Sequence, residues 1–177
     1  MKTMFITAMI ATTVTSQAAA QEFHASVGGI IDESFDELGV VGRGGYDFTP
    51  NFGLEAELNY FSVGEDDLDV GDGTTVDVDA DVFSYIAFAK AQAPVGERVT
   101  VFGRVGYGGV TLDVEADGFG SESETEDAFA YGVGAAFAVG PRGAVRADYT
   151  RIDLGEDLDS EGFLALSYTF RFGGVQR

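Results

Sequence analysis

Residues 52–61 have the sequence Phe-Gly-Leu-Glu-Ala-Glu-Leu-Asn-Tyr-Phe, and this stretch decides the fold class. Apolar side chains occupy every second position from its first residue, and Glu55, Glu57 and Asn59 occupy positions between them. A strand turns successive side chains to opposite faces, whereas a helix would spread both sets around its circumference. The stretch therefore predicts a β-strand with one apolar face and one face that carries charge.

The same alternation recurs along the chain. In 129–137 aromatic and aliphatic side chains alternate with glycine and alanine, and in 163–172 they alternate with Ser167, Thr169 and Arg171. Counting such segments gives eight candidate strands, at 22–31, 38–48, 52–63, 82–92, 98–112, 128–139, 144–153 and 162–172. The candidate at 82–92 has the weakest pattern, because Phe83 and Tyr85 compete with Ile86 and Phe88 for the outer face.

Two kinds of connection alternate between these segments. Short turn-like segments contain the prolines Pro50, Pro94 and Pro141. The other connections are longer and polar, at 32–37, 64–81, 113–127 and 153–161. Short turns that alternate with long loops are typical of outer-membrane barrels, in which the long loops are extracellular.

The less apolar strand faces distinguish a membrane barrel from a soluble sandwich. A soluble antiparallel sheet exposes a face rich in Lys, Thr and Glu to water. Here these faces are small and glycine-rich with isolated charges, as in the crowded interior of a narrow barrel. Aromatic residues near strand ends, such as Phe23, Tyr46 and Tyr107, fit interfacial girdles. We therefore predict an all-β, eight-stranded antiparallel transmembrane up-and-down β-barrel, with a secreted soluble β-domain as the alternative.

The N-terminal segment predicts export. Lys2 supplies a positive charge, residues 4–14 are mainly apolar, and Ala18-x-Ala20 is a pattern that signal peptidase accepts. We expect residues 1–20 to be a cleaved signal peptide, the mature chain to begin at Gln21, and 21–177 to form one barrel domain in the cell outer membrane.

Composition excludes several classes of function. The formal charge is −20 at pH 7, which would repel nucleic-acid phosphates, so we exclude nucleic-acid binding. The chain has no cysteine, which excludes a disulfide framework and a cysteine-based metal site.

Several segments resemble a known family. They are 51–58 (Asn-Phe-Gly-Leu-Glu-Ala-Glu-Leu), 101–107 (Val-Phe-Gly-Arg-Val-Gly-Tyr), 131–135 (Tyr-Gly-Val-Gly-Ala), 146–150 (Arg-Ala-Asp-Tyr-Thr) and 166–172 (Leu-Ser-Tyr-Thr-Phe-Arg-Phe). The mature chain is similar to the small eight-stranded outer-membrane barrels, the OmpA, OmpX and Opa-like group often called the porin family. This resemblance implies contact with outer-membrane lipid, lipopolysaccharide and the barrel-insertion machinery, and it identifies Tyr168, Phe170 and Phe172 as the assembly signal.

Charged residues at lumen positions are the first candidate site. They are Arg43, Glu55, Glu57, Arg104, Arg146, Asp148 and Arg171. The interior of an eight-stranded barrel is only wide enough to be filled by side chains, so we expect these charges to pair and plug it. Hydration in small polar cavities without pairing is the alternative.

Acidic residues at the predicted loops are the second candidate site. The four loops contain no Lys or Arg. They predict a solvated, aggregation-resistant surface, and a diffuse Ca²⁺ or Mg²⁺ surface is the alternative because hard cations bind carboxylate oxygens. Asp66, Asp67, Asp69 and Asp72 resemble a calcium loop only in part, since the glycine is displaced and the closing Glu is absent. We expect no cofactor beyond loosely bound Ca²⁺ or Mg²⁺.

Three functions remain open at this point. We favour a non-enzymatic, monomeric barrel whose acidic loops serve envelope integrity, cation-mediated contacts or adhesion. A narrow channel for small solutes is the second hypothesis, and it requires an unplugged lumen. A lipid-modifying enzyme is the third, and it would use His24, the one histidine, with Ser26 on the same face.

Overall fold

Eight antiparallel strands close into one barrel. The computed structural model describes residues 22–32, 38–69, 75–116, 120–154 and 160–172. The strands are β1 (Glu22–Asp32), β2 (Leu38–Asp47), β3 (Phe52–Asp69), β4 (Thr75–Pro94), β5 (Val99–Ala116), β6 (Gly120–Ala138), β7 (Gly143–Asp153) and β8 (Glu161–Phe172). Each pairs with its neighbours in sequence, and β1 pairs with β8 to complete the circle. The predicted fold class is confirmed.

The two ends of the barrel differ. At the short-turn end, connections of four residues at 48–51, 95–98 and 139–142 join successive strands. At the opposite, long-hairpin end, β3 to β6 extend well past their neighbours. The pairing of β2 with β3 ends at Phe61, and that of β6 with β7 begins at Phe129.

Two of the predicted loops are therefore wrong. Within 64–81 and 113–127, the residues at 64–69, 75–81, 113–116 and 120–127 are strand, and they form a four-stranded extension that we call the acidic sheet. Their acidic composition suggested loops, although the period of two continues through them, as in Val76-Asp77-Val78-Asp79. An antiparallel ladder can be solvated, so high polarity does not exclude a strand.

The apolar strand faces point outward. Leu58 is 50% exposed and Val133 64% exposed, whereas Glu57 beside the first is 1% exposed. An exposed apolar belt around a closed barrel is the surface that lipid covers. In β4 the structure resolves the competition between the two apolar sets, because Tyr85 points outward while Ile86 and Phe88 point into the lumen.

The part of the lumen nearer the long-hairpin end is apolar, which the sequence did not predict. Two buried clusters lie there, one around Ile86, Phe88, Ala128, Ala130 and Ile152, and one around Ile30, Val41, Phe61 and Ala165. Phe163 packs against both clusters, and its ring lies 5.3 Å from that of Phe61. The polar residues of the lumen are thereby covered from the long-hairpin end. Within the described residues, no helix is long and apolar enough to cross a membrane.

Candidate functional site

Six of the seven predicted lumen charges meet inside the barrel. Four strands supply them: Arg43 from β2, Glu55 and Glu57 from β3, Arg104 from β5, and Arg146 and Asp148 from β7. All six residues are at most 5% exposed. Each occupies an inward position of its strand, so closure of the sheet brings them together although they lie up to 105 residues apart. We call this set the lumen network.

Arg104 is the centre of the lumen network. One terminal nitrogen of its guanidinium donates to Glu55 Oε1 at 3.0 Å and to Glu57 Oε2 at 2.5 Å. The other terminal nitrogen donates to Asp148 Oδ2 at 2.8 Å and to the hydroxyl of Thr150 at 2.5 Å. A single cation thus contacts all three buried carboxylates, and hydrogen bonds to charged groups are the stronger class.

Arg43 and Arg146 complete the charge balance. Arg43 donates to Glu57 Oε2 at 2.6 Å and to Asp148 Oδ2 at 3.1 Å. Arg146 binds Glu55 through both terminal nitrogens, at 2.6 and 3.0 Å, and Asp148 through Nε at 2.9 Å. Three arginines therefore face three carboxylates, and every carboxylate has at least two cationic partners.

Neighbouring side chains orient this network. The guanidinium of Arg104 lies 4.2 Å from the ring centre of Phe88, and that of Arg146 lies 4.2 Å from the ring centre of Phe102. Asn59 donates to Glu57 Oε1 at 3.0 Å. Guanidinium groups are attracted to the faces of aromatic rings, so the two phenylalanines help to hold the arginines where they reach the carboxylates.

A second polar cluster lies nearer the short-turn end, and sequence reasoning identified only part of it. Lys90 Nζ lies 3.1 Å from Asp47 Oδ1. His24 Nε2 lies 3.2 Å from Glu55 Oε2, and its Nδ1 lies 3.6 Å from Asp47 Oδ2. Lys90 could have been found from its alternation, since it is in phase with Ile86 and Phe88 rather than with the small outward residues. Nothing in the local sequence indicates that Asp47 is its partner.

Arg171 differs from the prediction. It lies outside the lumen network, and it lines a cavity of about 30 Å³ at the short-turn end together with His24, Asp47 and Lys90. In register it pairs with His24 at the end of the barrel, whereas Ser167 on the same strand reaches Arg43. Alternation predicted the correct side of the sheet but could not predict the height along the barrel.

The acidic residues of the second candidate site are only partly described. Asp66, Asp67 and Asp69 lie in β3 within the acidic sheet, where the backbone alone is described, and Asp72 lies outside the described residues. Among residues that the structure describes, no group of three or more potential metal ligands occurs. The cation surface stays a prediction.

Tyr168, Phe170 and Phe172 share the outward face of β8. They are 48%, 39% and 49% exposed, and the last two rings pack edge to face at 4.8 Å. Phe172 ends the strand. The three aromatic groups are thus accessible from the membrane side, and their role in assembly stays a prediction.

His24 and Ser26 do not form a serine–histidine pair. The hydroxyl of Ser26 hydrogen-bonds with that of Thr169 at 2.8 Å, and the imidazole contacts Glu55 instead. Both residues are buried in the lumen. What the site can do chemically is hold charges at fixed positions and exclude solvent.

Comparisons with known proteins agree with this architecture. The family model described as "Outer membrane protein beta-barrel domain" matches residues 4–172. Comparison with curated proteins gives no match.

Solved structures share the fold at low sequence identity. Ail, the attachment invasion locus protein of Yersinia pestis, is 22% identical, with 86% of this chain and 99% of that chain covered and a TM-score of 0.59. Ail has also been solved in complex with the heparin analogue sucrose octasulfate, with a TM-score of 0.60. A major outer membrane protein from Thermus thermophilus is 14% identical, with 86% and 100% covered and a TM-score of 0.69. OprG from Pseudomonas aeruginosa is 10% identical, with 88% and 98% covered and a TM-score of 0.67.

Proposed function

Because the chain belongs to the outer membrane protein beta-barrel domain family, we propose that it is a non-enzymatic barrel with a closed lumen, which acts through its acidic extracellular surface. The outer membrane is its location. In such barrels the short turns are periplasmic and the long connections extracellular. The short-turn end then faces the periplasm, and the acidic sheet projects from the cell.

The observation that carries the closed lumen is the lumen network. Seven ion pairs between three arginines and three carboxylates span the interior from β2, β3, β5 and β7. A permeating ion would have to displace these pairs and then cross the apolar layer around Phe61 and Phe163. Both steps expose charge to a low-dielectric environment, which is costly.

The acidic sheet supports a role in surface contacts. Its segments contain no Lys or Arg. At its two borders, the strand parts 62–69 of β3 and 120–128 of β6 pair with a described strand on one side only. Unpaired strand edges offer hydrogen-bonding groups to another chain, and the charge selects for cationic partners. Adhesion and contacts bridged by Ca²⁺ or Mg²⁺ are therefore the roles that this surface favours.

The sign of the charge distinguishes this surface from a polyanion receptor. Ail was solved with a heparin analogue, sucrose octasulfate. The acidic sheet would repel such a ligand directly, so contact with the phosphates of lipopolysaccharide requires a divalent cation between the two. We expect the chain to reach the membrane as a monomer after cleavage before Gln21, with Phe172 read by the insertion machinery.

Planar-bilayer recording tests the closed lumen. Purified barrel reconstituted in 1 M KCl, at about the ionic strength that leaves a 3 Å Debye length, should give no resolved conductance steps. The variant Glu55→Ala plus Arg146→Ala plus Phe163→Ala removes one buried pair and the ring that packs against both apolar clusters, and it serves as an opened control. Reproducible steps in the unaltered protein, as large as those of the opened control, would favour the narrow-channel hypothesis.

Surface binding tests the second half of the proposal. Binding to lipopolysaccharide vesicles should require millimolar Ca²⁺ or Mg²⁺ and should weaken when Glu124 and Glu126, both exposed on the acidic sheet, become Gln. The matched control is Glu97→Gln in a periplasmic turn, which should change nothing. Binding that is equally strong in a metal chelator would contradict the role of the cation.

A further inference from the structure

His24 occupies an unusual position at the periplasmic end of the lumen. It is the only histidine of the chain and is 6% exposed. Both of its ring nitrogens face carboxylates on other strands: Nε2 faces Glu55 at 3.2 Å, and Nδ1 faces Asp47 at 3.6 Å. The ring therefore stands between the lumen network above it and the Asp47–Lys90 pair at the periplasmic mouth.

The hydrogen-bonding capacity of imidazole does not match this arrangement in the neutral state. A neutral ring has one N–H donor and one lone pair, so one of the two carboxylates would face a lone pair. Only the imidazolium can donate to both. In the structure the Nε2 contact has hydrogen-bond length, whereas Nδ1 is buried without a hydrogen-bond partner.

The space for the second hydrogen bond is present. The cavity of about 30 Å³ adjoins His24 and Asp47, so Asp47 can move the few tenths of an ångström that separate 3.6 Å from hydrogen-bond length. Asp47 Oδ1 is also without a hydrogen bond, although Lys90 lies 3.1 Å away. Nδ1 of His24 and Oδ1 of Asp47 therefore both lack a hydrogen bond in this structure.

Charged groups from six other positions surround the ring. On its own strand there is Glu22; the facing strands contribute Asp47, Glu55, Lys90, Arg146 and Arg171. The cations Lys90, Arg146 and Arg171 oppose a positive charge on His24, and the carboxylates favour it. The two nearest groups are Glu55 and Asp47, and both are acidic.

We propose that His24 is a proton-binding latch that ties the periplasmic mouth to the lumen network when it is protonated and releases the mouth when it is neutral. This goes beyond the proposed function, because it concerns solvent access from the periplasm rather than the extracellular surface. Protonation turns one hydrogen bond into two charge-assisted hydrogen bonds, one to β2 and one to β3. Hydrogen bonds through His24 then link β1, β2 and β3 at the periplasmic mouth.

The direction of the pH dependence follows from this geometry. The second hydrogen bond requires the protonated ring, so a rise in pH can remove this bond and cannot create it. The latch therefore tightens the periplasmic mouth in acid and loosens it in mildly alkaline solution.

The single histidine makes the protonation state directly measurable. In NMR spectra of the reconstituted barrel, all imidazole signals belong to His24 once no affinity tag is present. We expect two hydrogen-bonded ring N–H protons at pH 5.5 and one at pH 8.5. One ring N–H proton at both pH values, or two at both, would overturn the latch, because the ring would then not switch.

Thiol labelling measures the consequence at the mouth. The chain has no cysteine, so Thr100→Cys places a unique thiol beside the small cavity. A water-soluble maleimide labels this thiol in the Thr100→Cys protein and in the same protein that also carries His24→Gln. The rate in the first protein divided by the rate in the second is a ratio in which the pH dependence of thiol reactivity cancels. The ratio should be several-fold below one at pH 5.5 and close to one at pH 8.5.

Two further variants make the test decisive. Val139→Cys, in an exposed periplasmic turn, should give a ratio of one at both pH values. If His24→Gln fails to fold, Asp47→Ala replaces it, since it removes both carboxylate oxygens, including the acceptor that faces Nδ1, and should abolish the same pH response. A ratio at Thr100→Cys that does not change with pH would refute the proposal.

Discussion

Replacing Arg104 with alanine is expected to destabilise the barrel by about 3–5 kcal/mol, the range for removing one partner of a buried ion pair. Arg104 contacts Glu55, Glu57 and Asp148 at once and is 3% exposed. Its loss changes the lumen network from three cations and three carboxylates to two cations and three carboxylates. The uncompensated negative charge stays buried, because all three carboxylates are at most 4% exposed.

The contacts that remain in the Arg104→Ala variant favour the lower part of the range of about 3–5 kcal/mol. Glu55 keeps Arg146, and both Glu57 and Asp148 keep Arg43, so no carboxylate loses its last partner. Each of them loses one charge-assisted hydrogen bond, and such bonds contribute about 1.5–3 kcal/mol each. Contacts within one network are not additive, so three such losses are compatible with the figure of about 3–5 kcal/mol for the buried charge.

Three control variants separate charge from packing. Arg104→Met keeps most of the volume and should cost nearly as much as alanine, because the charge is what matters. Adding Glu57→Gln to Arg104→Ala restores two cations against two carboxylates and should recover about 1–3 kcal/mol. Arg98→Ala, in an exposed turn at the short-turn end, should change the free energy of unfolding by less than about 0.5 kcal/mol.

Urea titration of the barrel in lipid vesicles measures these differences. The chain has no tryptophan, so circular dichroism is the appropriate signal. A change below about 1 kcal/mol for Arg104→Ala would refute the reasoning, as would a double variant no more stable than the single one. Either result would mean that the lumen charges are hydrated and not coupled.

Three other measurements test the register, the strand packing and the export signal. Leu58→Arg, on the lipid-facing side, should destabilise by about 2–4 kcal/mol in the same urea titration, and an unchanged midpoint would contradict the register. Gly108→Ala should destabilise by about 1–3 kcal/mol because a Cβ there would overlap the carbonyl oxygen of Tyr85 on β4. The matched variant Gly42→Ala has open space around its Cβ and should be tolerated, so equal effects of the two glycine changes would count against the β4–β5 packing. Mass spectrometry of envelope fractions should find a mature N-terminus within a few residues of Gln21, and an intact Met1 would contradict cleavage.

Part of the lumen could be read from the sequence. Alternation assigned Glu55, Arg104 and Arg146 to the inward face because side-chain direction in a strand depends only on position parity. The partners could not be assigned, since Arg104 lies 49 residues from Glu55 and 44 from Asp148. Pairing at that separation depends on the relative height of strands around the closed barrel, which no local pattern encodes.

By itself, the sequence determined that the chain is a barrel of eight strands with an apolar exterior and a charged interior. The period of two, the number of segments and the alternation of short and long connections are all local, and they suffice for that conclusion. The tertiary structure alone decided which charges meet, that Arg171 lies below them, that an apolar layer closes the lumen above, and that acidic segments continue as strands. Those features follow from the register of eight paired strands, in which the position of each side chain is set by neighbours distant in sequence.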